Sequence, residues 1–455
     1  MMPSSLSYQE ALDAFLSFAD FERWGRSAYR PDLAPMLSLL NVLGHPQRGR
    51  ITVHVAGSKG KGSTAAMIAS ILARAGIPTG LYTSPHLDSF CERVRFNGQL
   101  ISHEEFASLA QDVLEGAKEV ERICPQRQLV TFDLLTALAF LAFRRWDVTV
   151  QVIEVGLGGR LDSTNVFTEK ELSVITPIGL EHTAILGPTP GVIAGEKAEI
   201  IFGPGPAVLA PQYYVEATEV IAAVAAGRGV SVVDVASRYR WQRLWASAHG
   251  QRFLLEGPNG PLDLFLPLIG AHQMENAATA IASIHVLAQI GLHIPQEAIR
   301  EGLANLSWPA RVEVISLQPL IIVDGAHNRE SARRLRQAIQ DDLACENAVL
   351  VVGTLADKDI GSIAEELAPI TCMVYATSFP HPRAMDSEKV AAAFARLGLS
   401  TQVTKDLHQA LKGALEAIAR INKTCVICLT GSLAFAAEGR RAALEKLKNG
   451  QSPRT

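Results

Sequence analysis

Ile51-Thr-Val-His-Val-Ala-Gly-Ser-Lys-Gly-Lys-Gly-Ser63 decides the fold class of this 455-residue chain. Residues 51–55 form a short apolar run that reads as a strand, and 64–74, rich in Ala, Ile and Leu, read as a helix. Between them lie three glycines, two lysines and two serines. Glycine lets the backbone turn sharply and present successive N–H groups to an anion at the positive end of the following helix. Gly57, Ser58, Lys59, Gly60, Lys61, Gly62 and Ser63 therefore read as a phosphate loop for ATP. Lys61 would reach the terminal phosphates, and the Ser63 hydroxyl could ligate Mg²⁺. The strict eight-residue pattern is not met, because Val55 stands where its first glycine belongs. The strand–loop–helix context carries the reading against the ordinary alternative, a Gly/Ser turn with solvated lysines.

Outward from this loop, apolar runs at 51–55, 79–82, 149–155, 172–176 and 207–210 alternate with helical periods near 62–75, 102–123, 131–146 and 189–202. Such alternation predicts an α/β fold with a mainly parallel sheet covered on both faces. Residues 228–270 break into short β-like pieces and turns, which predicts an antiparallel excursion. Helices are expected at 273–290 and after Pro295. Trp308-Pro309 interrupts the helical pattern. Beyond it, strands near 312–316, 320–324, 348–353, 372–377 and 424–430 alternate with helices near 330–341, 358–368, 386–397, 405–420 and 433–448. The expected organisation is a phosphate-loop domain over 1–308 and a smaller Rossmann-like α/β domain over 309–455. Residues 449–455 read as a frayed tail.

Hydrophobic residues make up 48% of the chain and charged ones 19%, ample for two or three globular cores. The formal net charge of −4 argues against broad nucleic-acid binding. No basic segment followed by an apolar stretch opens the chain, and no run has membrane length, so a cytoplasmic enzyme without membrane attachment is expected. Six cysteines show no framework spacing. Cys425-Val-Ile-Cys428 lies in an apolar run; on a strand its thiols point to opposite faces, and no second pair completes a zinc site. All six read as buried strand cysteines.

Three further residues follow or interrupt strands. Ser84 lies in Tyr82-Thr-Ser-Pro-His-Leu87, where ligands of a parallel sheet bind. Glu154 sits inside an otherwise apolar strand, where an unpaired carboxylate is costly and a metal ion is one remedy. His182 closes Gly179-Leu-Glu-His182. These three can converge on one divalent ion, although each has a bland reading as turn serine, ion-paired glutamate or surface histidine.

Taken in order, the segments resemble the folylpolyglutamate synthase and dihydrofolate synthase family of the Mur ligase superfamily. The resemblance runs through Leu43-Gly-His-Pro-Gln47, the phosphate loop, Tyr82–Leu87, Phe90-Cys-Glu-Arg-Val-Arg-Phe-Asn-Gly98, Glu154–Asn165, His182 and Glu196-Lys-Ala198. It continues through Gly270-Ala-His-Gln-Met-Glu-Asn276, Trp308-Pro-Ala-Arg311, Asp324-Gly-Ala-His-Asn328, Gly353-Thr-Leu-Ala-Asp-Lys-Asp359 and Thr430-Gly-Ser-Leu433. The resemblance implies that Ser84, Glu154 and His182 hold Mg²⁺, with Ser63 at a second, nucleotide-bound ion. It implies that Lys197 is a carbamylated lysine serving as a further metal ligand. Asn276, Arg311, Asp324 and His327 match the family's nucleotide contacts. Thr131, Phe132 and Asp133, with Leu161, Asp162 and Ser163, fall where the family seats the pterin end of its substrate.

The implied activity is ATP-dependent amide formation between a folate-type acid and L-glutamate, by a monomer acting on small molecules. A carboxylate does not condense with an amine unaided; phosphorylation to an acyl phosphate supplies the leaving group. That step needs positioning and charge neutralisation, and the second needs stabilisation of a tetrahedral oxyanion. Lys61, Lys197, Glu154 and His182 are the expected catalytic set. Several positions depart from the family pattern: Ser58-Lys59 replaces Thr-Asn, Glu181 an Asp, Pro177 an Asn, Glu199 a Gly, Arg329 a Pro and Asp133 a Glu. They leave open a Mur-type ligase acting on a non-folate acid, and a nucleotide-binding protein without ligase activity.

Overall fold

The computed structural model describes residues 6–25, 32–126, 128–421 and 424–450. Residues 451–455 of the expected tail lie outside them, and the last helix runs over Leu433–Gly450. By contact the chain divides into two compact units. One comprises the chain up to Trp241 with Leu255–Leu264 and Glu275–Leu306; the other comprises Gln242–Leu254, Phe265–Met274 and the chain from Ser307.

The first unit is built on eight strands: β1 (Ile51–Ala56), β2 (Thr79–Tyr82), β3 (Val94–Phe96), β4 (Gln99–Leu100), β5 (Val150–Glu154), β6 (Leu172–Ile175), β7 (Ala207–Leu209) and β8 (Val232–Asp234). Their order is β4-β3-β2-β5-β1-β6-β7-β8. β1 pairs in parallel with β5 and with β6, and β2 pairs in parallel with β5. The central strands are buried along their length, as their unbroken apolar runs require when both faces are covered. β3 and β4 add an antiparallel hairpin through Asn97-Gly98, both at positive φ, the residue pair favoured in a two-residue turn.

Helices His103–Ile123 and Thr131–Arg145 cover one face with Tyr8–Leu16 and Ala34–Val42 in a single apolar cluster. Ser7 and Glu10 form a capping box on the first of these helices, and Ser102 and Glu105 form one on His103–Ile123. Lys61–Arg74 packs against Gln296–Ala304, where Gly302 lies so close that a Cβ would fall 2.6 Å from Ile71 Cα.

β9 (Arg240–Ser247), β10 (Gly250–Glu256) and β11 (Leu262–Leu266) form a separate sheet in the order β11-β10-β9, within the stretch expected to leave the parallel pattern. The second unit carries β12 (Glu313–Leu317), β13 (Leu320–Val323), β14 (Asn347–Val352), β15 (Thr371–Thr377), β16 (Thr401–Thr404) and β17 (Cys425–Thr430). Their order is β12-β13-β17-β14-β15-β16, with β12 antiparallel and the rest parallel.

The cysteine reading is corrected in part. Cys372, Cys425 and Cys428 lie on strands and only Cys428 of these is buried, while Cys91 lies in a 3₁₀ turn and Cys124 ends a helix. Cys345 is buried between elements. A thiol suits any small apolar niche, so burial does not imply a strand.

Candidate active site

The strand order explains how residues far apart in sequence meet. β2, β5, β1 and β6 are neighbours, so their carboxyl ends deliver Ser84, Glu154, the 57–63 loop and the 177–182 segment to one edge. This is the edge of a parallel sheet where ligands are received.

The loop is held from behind. The amides of Ser58 and Lys59 both donate to the Pro177 carbonyl at 3.0 Å, and the Ser58 hydroxyl donates to Gly179 O at 3.0 Å. Those groups close the loop onto the β6 segment. Gly57 and Gly60 have φ of +143° and +82°, and a Cβ on either would strike Thr176 Oγ1 or Asn276 Oδ1. Both close approach and backbone conformation therefore demand glycine. The helix begins at Lys61 with Gly60 as its cap and no side-chain acceptor on its first turn. Its leading amides and its positive end are the part of the loop suited to an anion. Ser63 is buried in that first turn.

Glu181 gathers the charges. Its carboxylate accepts from Lys197 Nζ at 3.0 Å and lies 3.7 Å from Lys59 Nζ. Lys197, 1% exposed, also donates to the Gly57 carbonyl at 2.7 Å. Burial alone would raise the Glu181 carboxyl, but Lys197, Lys61, Lys59 and His182 hold it well below the usual carboxylate range. Burial lowers Lys197 to about 8 against the opposing pull of Glu181, with Lys61 and Lys59 lowering it further. One carboxylate thus faces three ammonium groups, leaving a surplus of positive charge beside the loop.

Ser84 N–H donates to Glu154 Oε2 at 3.1 Å, so these two predicted ligands are brought together, with Glu154 only 4% exposed. His182 is exposed at positive φ and caps the short helix Thr183–Leu186. Among the described residues no three His, Cys, Asp or Glu side chains form a metal cluster; the predicted set holds only two such residues, its other donors being serine hydroxyls and a modified lysine.

A pocket is lined by Ala19, Asp20, Phe21, Glu22, Phe90, Val130, Thr131, Phe132, Leu135, Gly156 and Leu157. Thr131 and Phe132 stand in its wall, and the Thr131 hydroxyl donates to the carbonyls of Phe15 and Phe18 at 3.1 and 3.2 Å. Asp133, Asp162 and Ser163 lie behind that wall. Asp133 accepts from Ser163 Oγ at 2.6 Å and Val130 N at 3.0 Å, and burial pushes it up to about 6. Asp162 accepts from Leu157 N at 2.7 Å and from Thr164, and burial raises it too. Leu161 is absent from the lining. The N-terminal wall, Phe21 and Glu22, went unread in the sequence; the Ser7…Glu10 capping box was the available sign of structure there.

In the second unit Asp324 follows β13, accepting from Val312 N at 2.9 Å and Ala326 N at 2.8 Å. Burial raises its carboxyl against the pull of Arg311. Arg311 Nη1 donates to Ala310 O at 2.9 Å, and His327 Nδ1 lies 2.9 Å from Gly325 O. Asn276, on helix Ala271–Gln289 and within the first unit, is buried against Gly60.

Two family descriptions match the chain: "Mur ligase middle domain" over residues 55–284 and "Mur ligase, glutamate ligase domain" over 310–433. A folylpolyglutamate synthase of Lacticaseibacillus casei is 37% identical over 388 residues, covering 84% of this chain and 87% of the relative. A dihydrofolate synthase/folylpolyglutamate synthase of Bacillus subtilis (strain 168) is 36% identical over 380 residues, covering 81% and 87%. The Mycobacterium tuberculosis folylpolyglutamate synthase solved with ADP and AMPPCP matches with a TM-score of 0.86 at 32% identity, covering 98% of this chain and 100% of that one. Phosphate loop, strand order and full-length likeness lead to one placement: the chain belongs to the folylpolyglutamate synthase and dihydrofolate synthase family of Mur ligases.

Proposed function

We propose that this chain uses ATP to join a folate-type carboxylate, dihydropteroate or a folyl-glutamate, to the amino group of L-glutamate through an acyl phosphate. The observation that carries the reading is the lysine cluster at the phosphate loop: Lys59, Lys61 and Lys197 around Glu181, at the positive end of helix Lys61–Arg74. The named activities of the relatives and the ADP and AMPPCP held by the related structure support the substrate classes.

In the first step a carboxylate oxygen attacks the γ-phosphorus and ADP departs. Lys61 and the leading helix amides neutralise the equatorial phosphoryl oxygens, and Lys59 adds charge at the same edge. In the second step the glutamate amine attacks the acyl carbon, a tetrahedral oxyanion forms, and its collapse expels phosphate and a proton. Glu181 keeps Lys59 in place, and it pairs with Lys197 only while that residue is the unmodified ammonium. Mg²⁺, held by Ser63, Ser84, Glu154 and His182, with Lys197 as a carbamate, would supply Lewis-acid neutralisation. The Ser84–Glu154 contact and the hard oxygen donors fit such an ion.

Asn276, Arg311, Asp324 and His327 are proposed as nucleotide contacts. Thr131 and Phe132 would touch the pterin end, with Asp133, Leu161, Asp162 and Ser163 supporting the wall. We assign ATP handling to 1–308 and glutamate ligation to 309–455, in a monomer of the cytosol. Among the described residues no helix is long and apolar enough to cross a membrane.

The test is phosphate release from ATP with dihydropteroate, tetrahydrofolate or a muropeptide precursor, each with and without glutamate. Release that depends on a folate acid and on glutamate is expected. Release requiring neither would overturn every ligase reading.

A further inference from the structure

β5 and β6 flank β1 and both run parallel to it, so the chain leaving β5 after Glu154 must return along the sheet before β6 begins at Leu172. The return segment crosses the face of β1 that presents His54. The His54 ring is fully buried there, with Phe167 of the return segment packed T-shaped against it at 5.6 Å. That segment also takes both ring nitrogens. Nε2 lies 2.9 Å from Thr164 Oγ1, and Nδ1 lies 3.1 Å from Lys170 Nζ.

Lys170 is the unusual member. It is 1% exposed, and besides His54 its Nζ meets the Phe202 ring, 3.8 Å from the ring centre. Burying an amine is costly, and the reaction above gives this one no part. The donors fix the direction of each bond. Burial, with Lys170 adding to it, holds His54 well below the usual imidazole range, so the ring is neutral and carries one N–H and one bare nitrogen. The Thr164 hydroxyl has a single hydrogen and donates it to Asp162 Oδ1. It therefore accepts from His54 Nε2, and the bare Nδ1 accepts from Lys170. Asp162 also accepts from Thr164 N at 3.0 Å and, on its other oxygen, from Leu157 N at 2.7 Å. A one-way chain of hydrogen bonds thus runs from Lys170 through His54 and Thr164 to the carboxylate that ties down Gly156–Leu157, the turn just past Glu154.

We propose that Lys170 is a positioning residue for this turn, acting through the tautomer of His54. With the amine on Nδ1, the ring proton stays on Nε2, and Thr164 aims its hydroxyl at Asp162. Without the amine, the proton is free to move to Nδ1. Nε2 then takes the Thr164 hydroxyl for itself, and Asp162 loses a donor. Gly156 and Leu157 stand in the pocket wall, so a loosened turn weakens binding there without touching the phosphate loop. The inference rests on the folate reading only for the substrate used in the kinetic test.

Lys170→Met keeps the apolar length of the side chain and removes the donor. KM for dihydropteroate should rise about tenfold, the worth of one hydrogen bond to a charged group, with kcat and KM for ATP near wild type. Exchange of the Leu157 amide with deuterated solvent should quicken by a similar factor, while the strands exchange as in the wild type. Thr164→Val cuts the same chain nearer its end, so the double variant should be no worse than Thr164→Val alone. A folded Lys170→Met with wild-type KM and wild-type Leu157 exchange overturns the inference, as do losses that add in the double variant. If Lys170→Met does not fold, the ¹⁵N chemical shifts of His54 in the wild type decide. A protonated Nε2 beside a bare Nδ1 is expected, and the opposite tautomer overturns the inference. Should dihydropteroate not support glutamate addition in the wild type, the ligase reading fails separately; amide exchange and the His54 tautomer then judge Lys170 alone.

Discussion

Lys197 Nζ and Glu181 Oε1 lie 3.0 Å apart, in a cluster where Lys59 is the second cation on the same carboxylate. Glu181 is one methylene longer than the aspartate that the family pattern carries, and it spans to both lysines. Lys59, the loop's additional charge, is thereby tied to the β6 segment.

Glu181→Gln should leave the buried Lys197 ammonium without its partner and destabilise the first unit by roughly 3 kcal/mol. Chemical denaturation of Glu181→Gln, Lys197→Met and the double variant checks this. The double variant should recover much of the loss; additive losses would mean that the two side chains are not coupled.

Lys61→Ala should reduce ATP-dependent product formation by about a thousandfold or more, because phosphoryl transfer depends on neutralising charge on the transferred group. Circular dichroism and the melting temperature should stay close to wild type, since Lys61 is only half-buried at the start of its helix. Turnover within tenfold of wild type would remove the loop lysine from the mechanism.

Gly57→Ala should cost about 2–4 kcal/mol, from positive-φ strain and from a Cβ placed 1.9 Å from Thr176 Oγ1 and 2.8 Å from the Thr176 carbonyl oxygen. Trimming Thr176 to alanine relieves only the first contact, so the double variant should recover a part. Full stability in Gly57→Ala would mean that the loop leaves this conformation readily.

Asp133 gives a pH signature. Its carboxyl is raised from 3.8 to about 6 by burial, so the folded state holds more protons than the unfolded state between those values. Its contribution to stability is therefore present below about 3.8 and lost as pH rises through 6, an effect of about 3 kcal/mol. Melting of wild type against Asp133→Asn at pH 4.5 and 7 should show the wild type losing ground at the higher pH. A constant difference would count against the raised carboxyl.

The parts of the fold legible in sequence were those with strong periodicity. β1, β2, β5, β6 and β7 are apolar because both faces of their sheet are covered, and the glycines at 57 and 60 are demanded by local backbone geometry. The hairpin at 94–100 was equally accessible, since Asn97-Gly98 is a strong turn signal, yet its strands are too short to show alternation. β16, Thr401–Thr404, is a short polar edge strand that its own residues do not announce. The Glu181 cluster was beyond reach for another reason. It depends on β1 lying between β5 and β6, and on a helix returning Lys197 to Gly57, relations of topology that local pattern does not contain. The pocket's N-terminal wall depends likewise on Ala19 bridging to Val130.

That wall has an implication for how such an enzyme diversifies. Residues 19–22 belong to a segment that precedes the phosphate loop and contributes nothing to it, whereas they form one side of the pocket. With the acid seated in this pocket as proposed, substitutions there should retune which acid is accepted while the phosphate loop stays intact. On that proposal selectivity and reactivity are separately mutable, and libraries confined to the first two dozen residues are the economical route to altered acceptors.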